Sequence, residues 1–177
     1  QVPIYYAHRA TGRPTNEQNK YTSRYLDVLS TPLYPFGHGL SYTTFTTSAP
    51  RLSAPTITPN DTLGIEVDVA NSGSRAGDAV VQVYVRDDVG SVTRPVRELR
   101  GFRRVALAAG ERRTLRFQLD VRDLAFTDAT MRYVAEPGRF TVFAGLSVAD
   151  SSASARFELQ TRDNRPWGVV RGCPVVR

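Results

Sequence analysis

The sequence predicts an all-β fold, an antiparallel sandwich of about seven strands behind an extended N-terminal arm. Three observations lead there. From about Ser48 onward, apolar residues alternate with polar ones at period two. Turn-forming clusters of Gly, Pro, Asn and Ser separate these runs. Before Ser48 the chain is rich in Tyr, Pro, Gly, Asn and Thr and sustains neither the strand period nor the helix period.

Residues 1–47 open on Val2-Pro3-Ile4-Tyr5-Tyr6, a short strand, and continue as a long connector. A connector of that length without structure of its own is expected to lie against a surface outside this sequence. The sandwich is expected over 48–160. Leu63, Ile65, Val67 and Val69 make one inward row, and Asn71-Ser72-Gly73 supplies residues that tolerate the positive φ of a tight exit turn. Val81, Val83 and Val85 form the next row, with Gln82, Tyr84 and Arg86 on the opposite face because successive strand side chains alternate. Leu115, Phe117 and Leu119 follow the Ala109-Gly110-Glu111 turn; Phe140, Val142 and Ala144 follow Glu136-Pro137-Gly138; Ala155, Phe157 and Leu159 close the series. Weaker strand candidates stand near Leu52, Leu99 to Leu107 and Met131 to Val134. The total matches an immunoglobulin-like or fibronectin-like sandwich. Residues 161–177, with two prolines around the single tryptophan, are expected to be a tail.

A net charge of +6 raises the question of nucleic acid, but the arginines are spread from Arg9 to Arg177 and interleaved with acids, as in Arg86-Asp87-Asp88 and Arg97-Glu98. Without a clustered basic face, nucleic-acid binding is not expected. No apolar run reaches the length of a membrane helix, so no membrane partner is expected either. One cysteine, Cys173, cannot form an internal disulfide, so packing alone must hold the core.

Motifs that carry chemistry are scarce. His8 and His38 have no cysteine or paired carboxylate nearby, so no metal is expected. Gly37-His38-Gly39 is a glycine-flanked turn without the spacing of a phosphate loop, and no other cofactor motif occurs. Asp87-Asp88 is the only adjacent acid pair, its members cannot share a face of the strand end, and it is expected to be a solvated strand terminus. A nucleophile elbow, Gly-x-Ser-x-Gly, is absent from the sequence.

Pro32-Leu33-Tyr34-Pro35-Phe36-Gly37-His38-Gly39-Leu40-Ser41-Tyr42-Thr43-Thr44-Phe45 resembles the junction motif of glycoside hydrolase family three. The likeness continues in order through Asn71 to Asp78, Val81 to Asp87 and Arg94-Pro95-Val96-Arg97-Glu98-Leu99-Arg100-Gly101-Phe102. These segments are similar to the fibronectin type III-like domain at the C-terminal end of that family's β-glucosidases, bacterial periplasmic type. Val2 to His8 and Thr11 to Pro14 resemble the last strand of the second catalytic domain and the start of the connector.

The resemblance implies a parent enzyme that hydrolyses terminal, non-reducing β-D-glucosyl residues with retention. Its nucleophilic aspartate and acid/base glutamate would both lie before Gln1, so no residue of this chain inherits a catalytic role. The implied function is a non-catalytic accessory region, secreted or periplasmic, that stabilises the catalytic domains. Tyr34, Phe36, Leu40, Tyr42 and Phe45 are the expected interdomain contacts, because two prolines and two glycines fix a sharply shaped arm that carries large apolar side chains. Tyr21, Arg24 and Tyr25 combine rings with a cation and are the candidates for an outer substrate subsite. The implied partners are those catalytic domains and a β-glucoside or oligosaccharide, with a homodimer allowed. The competing reading is a stand-alone carbohydrate-binding or adhesion module, which needs an exposed aromatic row such as Tyr84, Phe102 and Phe143.

Overall fold

A computed structural model describes residues 5–9, 12–150 and 153–169. The expected strand at Val2-Pro3-Ile4 and the lone Cys173 lie outside the described residues. Tyr5 and Tyr6 stand in a turn closed by the His8 N–H donating to the Tyr5 carbonyl at 3.1 Å, not in a strand.

Twelve strands form among the described residues: β1 (Phe45–Thr47), β2 (Arg51–Leu52), β3 (Thr56–Ile57), β4 (Thr62–Asn71), β5 (Gly77–Asp87), β6 (Glu98–Leu107), β7 (Arg112–Asp120), β8 (Phe126–Thr127), β9 (Tyr133–Ala135), β10 (Gly138–Gly145), β11 (Ser154–Leu159) and β12 (Trp167–Gly168). One sheet carries β1 and β2 on one side of β4 and β7 on the other; the second has the order β3-β11-β10-β5-β6. Strands β8, β9 and β12 make a small third sheet. The segment from Phe45 to Ile57 is a single strand path interrupted at Pro50 and Pro55, which lack the N–H a continuous ladder needs. It pairs antiparallel with β4, then crosses to pair parallel with β11. Counted as one, it joins β4, β5, β6, β7, β10 and β11 to give the seven-stranded sandwich that the periodicity predicts.

The inward rows lie where alternation puts them. Leu63, Ile65, Val67 and Val69 of β4 face Val81 and Val83 of β5, with Val142, Phe157 and Leu159, in one core. Phe140 stacks on Phe157 at 5.3 Å. Burying each such side chain stabilises the fold by roughly 1.5–3 kcal/mol. Strand β6 is the edge of its sheet, and its register slips by one residue between Val83 and Tyr84 of its partner. Such a bulge, together with the exposed Arg103 and Arg104, blunts an edge against adventitious pairing. Strand β12 pairs with β9, Trp167 opposite Ala135, within the segment expected to be a tail.

The turn after β4 departs from the sequence expectation. Gly73 has no positive φ; its reason is space, since a Cβ there would stand 2.2 Å from Thr43 Oγ1. Thr43 is held by the buried Asn71, whose side chain uses its full capacity. The Thr43 hydroxyl and the Gly73 N–H donate to Asn71 Oδ1 at 2.7 and 3.1 Å, and Asn71 Nδ2 donates to the carbonyls of Arg75 and Leu107 at 2.7 and 3.2 Å. The Asn71 backbone bonds Glu111 and Gly110 of the β6–β7 turn. Replacing Asn71 by Ala strands the buried Leu107 carbonyl and is expected to cost about 3 kcal/mol in urea denaturation. Thr43→Val, which removes one bond, should cost about 1 kcal/mol. Equal stability of the Asn71→Ala variant and the parent would show that the network carries no weight.

Candidate functional site

The arm divides into a self-bonded loop and a docked turn. Between Arg13 and Ser30, Asn16 and Asn19 fold their own backbone: Oδ1 of Asn16 accepts from the Gln18 N–H, and Oδ1 of Asn19 from the Tyr21 N–H, at 2.9 and 3.0 Å. The Thr22 hydroxyl donates to the Asn19 carbonyl at 2.8 Å, and Thr15 to the Ser23 carbonyl at 2.8 Å. This loop presents Tyr21, 75% exposed, with Lys20 Nζ 5.2 Å from its ring centre. Arg24 and Tyr25 are placed differently. The Arg24 side chain is only 17% exposed; its Nη1 donates to the Tyr25 carbonyl at 3.0 Å and lies 4.0 Å from Glu17. Tyr25 is half-buried, its N–H donating to Ser30 Oγ at 3.1 Å, while Glu17 accepts from the Ser30 N–H. Tyr21, with Lys20, therefore offers the open stacking surface here, and Arg24 braces the loop.

The Pro35–His38 turn docks on the sandwich. The His38 N–H donates to the Pro35 carbonyl at 2.9 Å, and Gly37 takes φ 79°, which glycine reaches without strain. Directly beneath it stands Gln82, whose Nε2 donates to the carbonyls of Gly37 and Leu146 at 3.1 and 2.8 Å; any Cβ on Gly37 would collide with the Gln82 amide. Tyr84 donates its hydroxyl to Gln82 Oε1. Phe36 stacks on Tyr6 at 4.0 Å, Tyr6 meets Tyr84 edge-on, and the Val148 N–H donates to the Phe36 carbonyl at 3.0 Å. Gln82 and Tyr84 are both buried on the face that alternation assigns to solvent, because the arm covers it. Period-two patterning cannot signal this; Gln82 and the 0% exposed Tyr84 are the anchoring residues that sequence reasoning missed.

Of the five expected interdomain residues, Tyr34, Leu40 and Tyr42 project into solvent, the last two at 93% and 94% exposure. Phe36 is committed in part to Tyr6, and Phe45 packs against the sandwich core. Leu26, Val28, Leu29 and Leu33 extend the exposed apolar stretch.

The acid pair is not a solvated strand end. The Asp87 side chain is 7% exposed, and its Oδ2 lies 3.6 Å from Arg94 Nε without a hydrogen bond between them. Burial pushes the carboxyl above its ordinary 3.8, with Arg94 pulling it part of the way back. Arg94 also donates from Nη2 to Glu98 at 2.9 Å and lies over the Phe126 ring at 4.2 Å. The loop between β5 and β6 folds back over Asp87, closely enough that a Cβ on Gly90 would stand 3.1 Å from its Oδ2. The same loop holds the arm's start, through the Val96 N–H donating to the His8 carbonyl and a bridge between Arg9 and Pro95.

Residues 79–148 match the family described as the fibronectin type III-like domain. The periplasmic beta-glucosidase of Salmonella typhimurium is 49% identical over 151 residues, which is 84% of this chain and 20% of that protein. A beta-xylosidase of Formosa agariphila is 42% identical over 148 residues, 83% of this chain and 20% of its own length. The crystal structure of a beta-glucosidase from Listeria innocua in complex with glucose superposes with a TM-score of 0.81 at 39% identity, covering 89% of this chain and 22% of that one. The chain belongs with the C-terminal, fibronectin type III-like region of family three β-glucosidases. It spans about a fifth of the length of the relatives it matches.

Within this fibronectin type III-like domain, the buried Asp87 gives stability an unusual pH dependence. Its folded form holds a proton more tightly than the unfolded chain does, so its contribution falls as pH rises from 3.8 through the raised value. Asp68, held down to about 2 by its bonds from Arg51, and Asp128, held down to about 2 by the Arg132 N–H, act oppositely: their contribution is present above 3.8 and is lost as pH falls toward 2. Urea denaturation at about pH 3 and about pH 6 should show the wild type losing stability relative to Asp87→Asn as pH rises. A pH-independent difference between the two proteins would exclude Asp87 as a group ionised at a cost.

Proposed function

We propose that this chain is the accessory region of an exported, retaining β-glucosidase, stabilising its catalytic domains and shaping the outer edge of the substrate site. The observation that carries this reading is the match of nearly the whole chain to one fifth of β-glucosidases. The exposed large apolar side chains between Leu26 and Tyr42 support it, because exposed apolar patches mark interaction surfaces. Leu40, Tyr42 and Tyr34 would be covered by the catalytic domains, each adding roughly 1.5–3 kcal/mol of burial, while Phe36 and Phe45 fix the arm from beneath. Tyr21 and the braced Arg24-Tyr25 loop would stand at the rim of the sugar site. Export to the periplasm or the exterior follows the relative that is named periplasmic.

The stand-alone binding module loses its main support. Tyr84 is buried under the arm, and Phe143 lies under the Arg97 guanidinium at 4.0 Å, which leaves Phe102 without a row. The β-glucosidase and β-xylosidase names among relatives of equal coverage leave the parent's sugar to residues outside this region.

A retaining mechanism needs a nucleophile and an acid/base about 5–5.5 Å apart across one sugar. The purified chain is therefore expected to give no turnover of an aryl β-glucoside. Turnover that vanishes in an Asp87→Ala or Glu98→Ala variant would overturn the reading. In the whole enzyme, Leu40→Ser with Tyr42→Ser should lower the unfolding midpoint while leaving the isolated chain's stability within about 0.5 kcal/mol. In that same enzyme, Tyr21→Ala should raise KM for oligosaccharides more than for a simple glucoside, with kcat nearly constant, because a rim contact binds ground and transition states alike. Unchanged kinetics on every substrate would return the loop to a purely structural role.

A further inference from the structure

A cleft lies where the turn after β3 meets the segment that follows β11. Asn60, Gln160, Arg162, Arg165, Pro166 and Trp167 line it. Its lining holds two guanidinium groups and no carboxylate. Among the described residues neither arginine is in an ion pair, so both guanidinium groups of the cleft keep their hydrogen-bonding capacity for a ligand. The nearby Asp61 carboxylate is occupied, accepting from the Thr58 N–H and hydroxyl at 2.7 and 2.8 Å.

Local backbone makes this arrangement. Asp163 and Asn164 take successive left-handed conformations, φ 55° and 54°, a combination that costs energy for any residue with a Cβ and that Asp and Asn tolerate best. That turn reverses the chain, so Arg162 and Arg165 line one cleft. Trp167, also in the lining, is fixed by pairing opposite Ala135 and by packing against the core, and it remains half-exposed.

A fixed, half-exposed indole in a cleft lining suits the C–H face of a pyranose ring. Planar guanidinium forks suit a carboxylate, which they bind through paired hydrogen bonds. The side-chain amides of Asn60 and Gln160 supply donors and acceptors for hydroxyl groups. We propose that this cleft binds a carboxylate-bearing sugar, a uronic acid unit of a glycan. Such a site would hold the protein to an acidic polysaccharide independently of any hydrolytic centre.

Trp167 is the only tryptophan in the chain, so its emission reports on this cleft alone. The 177-residue protein is titrated with a galacturonate trisaccharide, with a neutral glucose trisaccharide and with inorganic phosphate. Tryptophan emission and the indole N–H chemical shift are followed together. The galacturonate trisaccharide should give a saturable change in at least one signal, and the other two should give none over the same range. Arg162→Ala and Arg165→Ala, both at exposed positions, should each weaken the apparent affinity by roughly tenfold or more. The proposal fails if neither signal moves, if phosphate or the neutral sugar acts as strongly, or if binding survives in the double variant.

Discussion

The buried amide of Asn71 is the constraint on which the joint between arm and sandwich depends. It joins three parts of the chain that are distant in sequence: the end of the arm at Thr43, the β4–β5 turn at Gly73 and Arg75, and the last residue of β6 at Leu107. The bond to the Leu107 carbonyl is buried and the others are partly so, and an unpaired buried group costs more than a single hydrogen bond contributes. A side-chain amide satisfies these partners together, since it offers two donors and an acceptor with two lone pairs. The packing of Gly73 against Thr43 follows from the same closeness.

A second polar anchor, Gln82, fixes where the arm crosses the sheet. Its amide reaches the backbone of the Pro35–His38 turn and of the loop after β10, so the arm lies on β5 at a defined place. Tyr6, Phe36 and Tyr84 then pack around this anchor and exclude water from it. The result divides the labour of the arm. Its inner residues are consumed in holding the chain to the sandwich, and its outer residues, Tyr34, Leu40 and Tyr42, remain available to another surface.

The charges follow a related division. Many of the ion pairs, such as Arg113 with Glu111 and Arg116 with Glu66, sit at the surface, where solvent screening leaves each pair worth little. Asp87 and Arg94 are different, because both are largely withdrawn from water and meet without a hydrogen bond. Such a pair is a poor source of stability. Its consequence is geometric: the β5–β6 loop is drawn down over Asp87, and that loop carries the bonds to His8 and Arg9 at the start of the arm.

The inward rows of β4, β5, β7, β10 and β11 were legible in the sequence because a strand buried on one face must alternate at period two, and that pattern is local. The junction motif was legible for the same reason, as a contiguous run of prolines, glycines and aromatics. The burial of Gln82 and Tyr84 was not legible, since they occupy outward positions and are covered only when residues some forty-five places earlier fold across them. Asp87 looked like a solvated strand end for want of the same information. Arg162, Arg165 and Trp167 had no motif to announce them, and the turn through Asp163 and Asn164 places them on one cleft with Asn60. The sequence by itself determined the sandwich, its strand count and its likeness to a known family, because those rest on patterns between near neighbours. Only the tertiary structure decided which polar residues are buried and which arginines stand together, because both depend on contacts between segments that no local period relates.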